Sequence, residues 1–331
     1  MVNAMIDRRA ALLGAAFGLA SVSSPWPASA TSQSLRVAAL RFGSLSWLID
    51  TIRAEGLDAR LGFELDVLDV ATNQAGTITL MAGRADIIVS DWLWALRQRS
   101  QCEDLKFAPL SAALGALMAR PGSGVGGVAE LAGKRLGVAG SAIDKSWLLL
   151  RVYSRQTVGR DIAEAATVVF GAAPLITEEI RQGRLDAVLN YWTFAARLAG
   201  EGFTRVLDMS EVLRELGVEP VPPLVGFVWR ERTEAAKPDA FQAFFTAVTA
   251  ANKVLADSDV AWERLRPLVK PSTYAELAAI RSAYRAGIPG PWGAEQTRAA
   301  EKLVGLLIQL GDQDLIGSRT RFDPGLFHGT S

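Results

Sequence analysis

The sequence predicts an α/β fold of two lobes, each a mostly parallel sheet flanked by helices. Two observations carry that prediction. From residue 35 onward, short apolar runs alternate with longer stretches of helical periodicity, which is the pattern of βαβ units. The alternation pauses twice, at LMARPGSGVGG (117–127) and at VEPVPPLVGFVWRER (218–232), so the chain reads as two blocks joined by a pair of crossings.

In the first block, LRVAAL (35–40) reads as a strand and SWLIDTIRAEG (46–56) as a helix stopped by Gly56. FELDVLDV (63–70) alternates like a strand, QAGTITLMAG (74–83) has a helical period, ADIIVS (85–90) is a strand and WLWALRQRS (92–100) a helix. After the first pause come a strand, GKRLGVAG (133–140), a helix, AIDKSWLLLRVYSRQ (142–156), a strand, ATVVFG (166–171), a helix, LITEEIRQG (175–183), and a strand, LDAVLNYW (185–192). Beyond the second pause three helices are predicted, over 239–256, 273–287 and 295–311.

A chain of 331 residues, 50% hydrophobic and 21% charged, can bury one large core or two smaller ones. Thirty-five basic residues balance 35 acidic ones, so no nucleic-acid partner is expected. The single histidine, His328, excludes most His-dependent catalysis and any multi-histidine metal site. The single cysteine, Cys102, allows neither an intramolecular disulfide nor a thiolate cage. No metal and no cofactor is expected.

Residues 1–30 read as an export signal. Arg8-Arg9 precedes ALLGAAFGLA (11–20), a run too short to span a bilayer, and Ala28-Ser29-Ala30 fits a cleavage site. The paired arginines fit twin-arginine export, although Ala11 stands where a larger apolar residue is usual, and a general secretory signal fits as well. Cleavage near Ala30 gives a periplasmic chain with no later stretch apolar enough to span a membrane.

In open parallel sheets, ligands sit beyond the carboxyl ends of the strands, where helix N-termini also point. Here those junctions are RFGS (41–44), ATNQAG (71–76), SDWLW (90–94), GSAIDKSW (140–147) and NYWTF (190–194). Trp47, Trp92, Trp94, Trp147 and Trp192 lie at or just after them. Each junction also reads as helix capping alone: Ser141 to Asp144 fits a capping box, and Ser90 and Thr193 fit N-caps. Capping does not ask for repeated indoles, however, and a capped helix start still presents N–H groups to an anion. The candidate binding residues are therefore Arg41, Ser44, Asn73, Ser90, Asp91, Ser141, Lys145 and Asn190 as polar partners. Trp92, Trp147, Tyr191 and Trp192 are the candidate apolar walls. Lys145 and Arg41 are the charged donors placed for an anionic group, and Asp91 the acceptor for an amine or hydroxyl.

At these residues the sequence resembles the periplasmic substrate-binding proteins of ABC importers, in the branch that binds nitrate, aliphatic sulfonates, taurine and thiamine pyrimidines. The resemblance runs through LRVAALRFG (35–43), ITLMAGRADIIVSD (78–91), VAELAGKRLGVAGSAIDKSWLLLR (128–151) and ITEEIRQGRLDAVLNYW (176–192). It implies the type II binding-protein fold. Residues 31–119 plus 226–331 would form one lobe and 120–225 the other, with a ligand cleft between them that closes by hinge motion. It also implies a monomer that delivers its ligand to an inner-membrane permease and ATPase. IDKSW replaces the family's usual small-residue loop, and the tryptophan load is high. Both argue against an inorganic anion and for a flat or apolar body with an anionic end, such as a sulfonate or pyrimidine.

Two other readings stand beside it. Pyrimidine synthases resembling this family are enzymes on the same fold, but they rely on histidine and a cysteine-rich motif, so no enzyme is expected here. An accessory that binds a metal chelate or a partner protein would draw on Asp91, Asp144, Glu178 and Glu179.

Overall fold

The computed structural model describes residues 33–40, 43–142, 144–309 and 321–329. The expected leader (1–30) and Arg41 lie outside the described residues. Among the described residues the strands are β1 (Gln33–Leu40), β2 (Phe63–Val70), β3 (Ile87–Asp91), β4 (Leu105–Ser111), β5 (Ala116–Ala119), β6 (Arg135–Ala139), β7 (Thr167–Gly171), β8 (Ala187–Asn190), β9 (Thr204–Asp208) and β10 (Val225–Arg230). They form two five-stranded sheets, ordered β2-β1-β3-β10-β4 and β7-β6-β8-β5-β9. Helices flank both, so the fold is the two-lobed α/β architecture that the sequence predicts.

Each sheet carries one strand against the grain. β10 runs antiparallel to β3 and β4, and β5 antiparallel to β8 and β9. These are the strands the chain enters when it changes lobe, after β4 and again after β9, which is why they fall within the two pauses in the pattern. No described helix is long and apolar enough to cross a membrane.

Side chains alternate across the sheets as the pleat requires. In β10, Phe227 and Trp229 join one core with Leu35, Val37 and Ile87, whereas Val228 points to the other core with Ala38, Ile88 and Phe107. In the second sheet Leu117 and Leu189 share that other core, and Met118 and Val188 face a smaller one with Ile176 and Ile180. One apolar core therefore runs through both lobes.

The helix Trp192–Gly200 ties the lobes together a second time. It follows β8 of the second sheet but packs on the helix Tyr274–Ala286, whose Leu277, Ile280 and Tyr284 belong to the first sheet's core. A Cβ at Gly200 would lie 2.6 Å from the Glu276 Cα, so only glycine permits this approach. Arg197 donates to the buried Glu276 carboxylate and to the backbone oxygens of Val269 and Lys270.

Candidate functional site

The carboxyl ends of β3 and β6 meet across the lobes. Asp91 ends β3 and caps the helix Trp92–Arg99, its Oδ1 accepting from the Trp94 N–H at 2.8 Å. Lys145 opens the helix Lys145–Val158 after β6 and reaches over, placing Nζ 3.0 Å from Asp91 Oδ2. Both side chains are mostly buried, with exposures of 25% for Lys145 and 20% for Asp91.

Asp144 stands directly before Lys145. The S-x-x-D segment does not form the capping box that the sequence suggests: Asp144 is itself the N-cap, and its Oδ1 accepts from the Ser146 N–H at 2.9 Å and the Trp147 N–H at 3.4 Å. Ser141 contributes its backbone oxygen to the Asp144 N–H and is exposed. The Tyr191 hydroxyl donates to Asp144 Oδ2 at 3.4 Å. Gly140 makes room for this pair. Its φ of +98° suits glycine, and a Cβ there would lie 2.9 Å from Tyr191 Oη and 3.1 Å from Asp144 Oδ2.

The charges tune one another. Burial pushes the Asp91 carboxyl up, but Lys145 and the Trp94 amide outweigh it and hold the group below its usual range. Burial pulls the Lys145 ammonium down, yet Asp91 and Asp144 together raise it. Asp144 goes the other way: burial raises it, and Lys145 with the two amides offsets only part of that. Burial, then the Asp144 charge, also raises the Tyr191 hydroxyl.

Beside this polar group lies an aromatic contact between the lobes. Trp192, the first residue of its helix, meets Trp47 edge-on at 6.0 Å and Tyr284 at 6.2 Å. Trp47 belongs to the helix Ser44–Ala54. That helix and the one begun by Trp192 both start without a side-chain hydrogen bond at the cap.

The structure thus brings Asp91, Lys145, Tyr191 and Trp192 together, with half-buried Ser44 at the head of Trp47's helix. Other candidates lie elsewhere or are already engaged. The Trp92 indole is fully buried, donates Nε1–H to Pro223 O at 3.1 Å and packs edge-on to Phe327. Trp147 is buried under Phe170. Both are core residues and not exposed walls, because their helices' first turns are covered by distant segments. Asn190 is buried and turned toward the helix Ala173–Arg181, donating to Thr177 Oγ1 and accepting from the Tyr191 N–H. Ser90 is buried in β3 opposite Gly226, and its suggested N-cap role belongs to Asp91. Asn73 is exposed beside Thr72, the residue that caps its helix. Thr193 is no cap either, since Tyr191 holds that position. Lys145, expected as a free donor, is already paired with Asp91. Trp47 and Tyr284, which Trp192 meets, are themselves buried in the first sheet's core, and sequence reasoning took Asp144 only as a cap or a metal-ligating carboxylate.

A groove of about 410 Å³ lies on the flank of the first lobe, away from this site, and is lined by Phe241, Phe245, Glu234 and His328 among others. Among the described residues, no three His, Cys, Asp or Glu side chains converge as a metal cage would require.

Several solved structures share the fold. The alkanesulfonate-binding protein SsuA from Xanthomonas axonopodis pv. citri, bound to MOPS, superposes with a TM-score of 0.69 at 16% identity, over 89% of this chain and 98% of that one. The periplasmic aliphatic sulphonate-binding protein SsuA from Escherichia coli gives a TM-score of 0.66 at 12% identity, over 88% and 97%. The desulfurization enzyme DSZB gives 0.59 at 16%, over 88% and 96%. At these identities the likeness is one of fold. No curated protein matches the sequence. The family model described as NMT1/THI5 like matches residues 55–259, and by that match the chain belongs to the NMT1/THI5-like family.

Proposed function

We propose that the protein is the periplasmic solute-binding component of an ABC-type importer. It captures a small organic ligand with a flat or apolar body between its lobes and hands it to an inner-membrane permease and ATPase. One observation carries the reading: Asp91, Lys145, Tyr191 and Trp192, from the strand ends of both sheets, gather on one interlobe surface. Charged and aromatic groups so placed can hold the polar end and the body of one small molecule, and closure would bury it. The lobe boundaries near residues 120 and 225 and export by the leader belong to the same proposal.

The family and SsuA-like folds support binding over catalysis. The DSZB likeness keeps an enzyme in view, but the described site pairs its lysine with a carboxylate and offers no histidine or thiol nucleophile. Native mass spectrometry of protein purified without denaturation would weigh a carried-over solute directly. Titration of its tryptophan fluorescence with sulfonates, pyrimidines and flavins would follow, with Trp192 and Trp47 as reporters. An empty protein with flat traces for all three classes would refute the reading, and turnover of a bound ligand would replace it with the enzymatic one.

A further inference from the structure

We propose that the protein associates with a second copy of itself through the free edge of β7, the two second-lobe sheets joining edge to edge in antiparallel register about Val169. Such a dimer takes the place of the monomer that the family resemblance implies, and it does not depend on which solute the cleft holds. Edge strands offer unpaired N–H and C=O groups, and folded proteins guard them with charge, proline or a covering segment. Of the four edges that the described sheets present, three are guarded. β2 carries Glu64, Asp66 and Asp69. β4 carries Lys106 and Pro109, and Phe327 bridges to it at Phe107. β9 carries Arg205 and Asp208. β7, TVVFG, has no such guard. From Ala165 to Thr177 no residue is charged, and Pro174 lies beyond the strand, in the helix Ala173–Arg181.

The ladder to β6 fixes which backbone groups face outward. At its two ends Thr167 donates its N–H to Lys134 O and Gly171 O accepts from the Gly140 N–H, both at 2.8 Å, and the register between them is unbroken. Successive residues of a strand direct their backbone groups to opposite sides, so Val169 also turns to β6, while Val168 and Phe170 present N–H and C=O to the free edge. Two copies related by a two-fold axis at Val169 set Val168 of each against Phe170 of the other. Each such pair exchanges two N–H···O=C bonds, which uses every outward group of both residues.

The side chains match themselves on both faces. Phe170 is 40% exposed and packs edge-on to Trp147 at 5.7 Å, so it and Val168 lie on the face covered by the helix Lys145–Val158. Val169, 43% exposed, lies on the opposite face, the one where a Cβ at Gly171 would meet Ile176 and Leu175. In the two-fold register Phe170 stands across from Val168, an aromatic and β-branched pair, and Val169 stands against its own copy. Leu175, 55% exposed, extends the apolar surface on the Val169 face. A charged peptide strand would lay its charges against these side chains, whereas a second TVVFG brings none.

Sedimentation equilibrium on the full chain should show a concentration-dependent dimer. Val169→Lys, which sets two ammonium groups face to face, should weaken it at least about tenfold. Directly opposed residues in a non-hydrogen-bonded antiparallel pair have Cα atoms about 4.5 Å apart, within disulfide range. In a Cys102→Ser background, Val169→Cys should therefore form a covalent dimer on mild oxidation, while Thr167→Cys, displaced along the strand from the axis, should not. Circular dichroism verifies folding, and if Val169→Lys does not fold the cysteine pair decides. A wild type that stays monomeric up to about 1 mM overturns the inference. So does a dimer indifferent to Val169→Lys, or equal crosslinking of the two cysteine variants. Binding of a fluorescent TVVFG peptide to a protein that remains monomeric would give the edge to another strand donor and overturn it as well. None of these results requires a bound solute, so the dimer and the solute-binding reading stand or fall separately.

Discussion

Replacing Lys145 with methionine removes the ammonium that joins the lobes while preserving the aliphatic stem and both helix caps, which belong to Asp91 and Asp144. With an effective dielectric constant near 20, two unit charges about 3 Å apart attract by roughly 5–6 kcal/mol. Desolvation takes back most of this for a buried pair, and fully exposed pairs net about 0–1 kcal/mol. Both side chains are mostly but not wholly buried, which puts the net near 1–2 kcal/mol in favour of the bridged lobes. Losing it shifts the balance toward separated lobes by about five- to thirtyfold. Small-angle X-ray scattering of ligand-free protein should then show a larger radius of gyration for Lys145→Met. The wild type should move the same way at the pH extremes. Asp91 is depressed, so its contribution is present above 3.8 and lost as pH falls through its folded value; Lys145 is raised, so its contribution is present below 10.5 and lost as pH rises through its own. Superimposable scattering from wild type and variant at neutral pH would refute the reasoning.

Glu276→Gln breaks the Arg197 pair at a carboxylate that is 1% exposed, and should cost about 3–5 kcal/mol in urea unfolding, far more than any surface pair. Gly140→Ala forces a side chain into a backbone at φ +98° and toward Tyr191 Oη, and should cost about 1–3 kcal/mol in the same assay while displacing the Tyr191–Asp144 contact. Burial would raise the Asp86 carboxyl, but Arg36 at 2.7 Å and Lys237 at 3.0 Å hold it below its usual range. Its stabilisation is therefore present above pH 3.8 and lost as pH falls through the depressed value, so Asp86→Asn should flatten the acid limb of a melting-temperature profile.

Much of the fold was legible because it rests on local periodicity. FELDVLDV matches β2 at both ends, and the helices predicted over 239–256 and 273–287 differ from Pro238–Asp257 and Tyr274–Ala286 by one residue at each end. The strands left unassigned are those whose patterns are weakest or lie in the pauses. β4 contains Pro109, and β5 is four residues long and buried throughout, so it shows no alternation. β10 follows Pro220, Pro222 and Pro223, which read as loop. These segments are strands because strands remote in the sequence supply their hydrogen-bonding partners, β10 lying between β3 and β4 and β5 between β8 and β9, and their own sequence does not record that.

The site was less legible for the same reason. Trp92 and Trp192 each open a helix directly after a strand, and a single-sequence pattern treats them alike. Trp92 is covered by Pro223 and Phe327, from the second crossing and the C-terminal segment, whereas Trp192 reaches Trp47 and Tyr284 on the opposite lobe. Likewise, Asp91 and Asp144 are both helix caps after strands, yet Lys145 engages the first from across the lobes and leaves the second with spare accepting capacity. Local sequence marks the strand ends at which binding groups can stand. Which of those groups faces a ligand depends on what the remote chain has already covered or neutralised, and for this protein that distinction separates a lysine held by its own carboxylate partner from an aspartate still able to accept a donor.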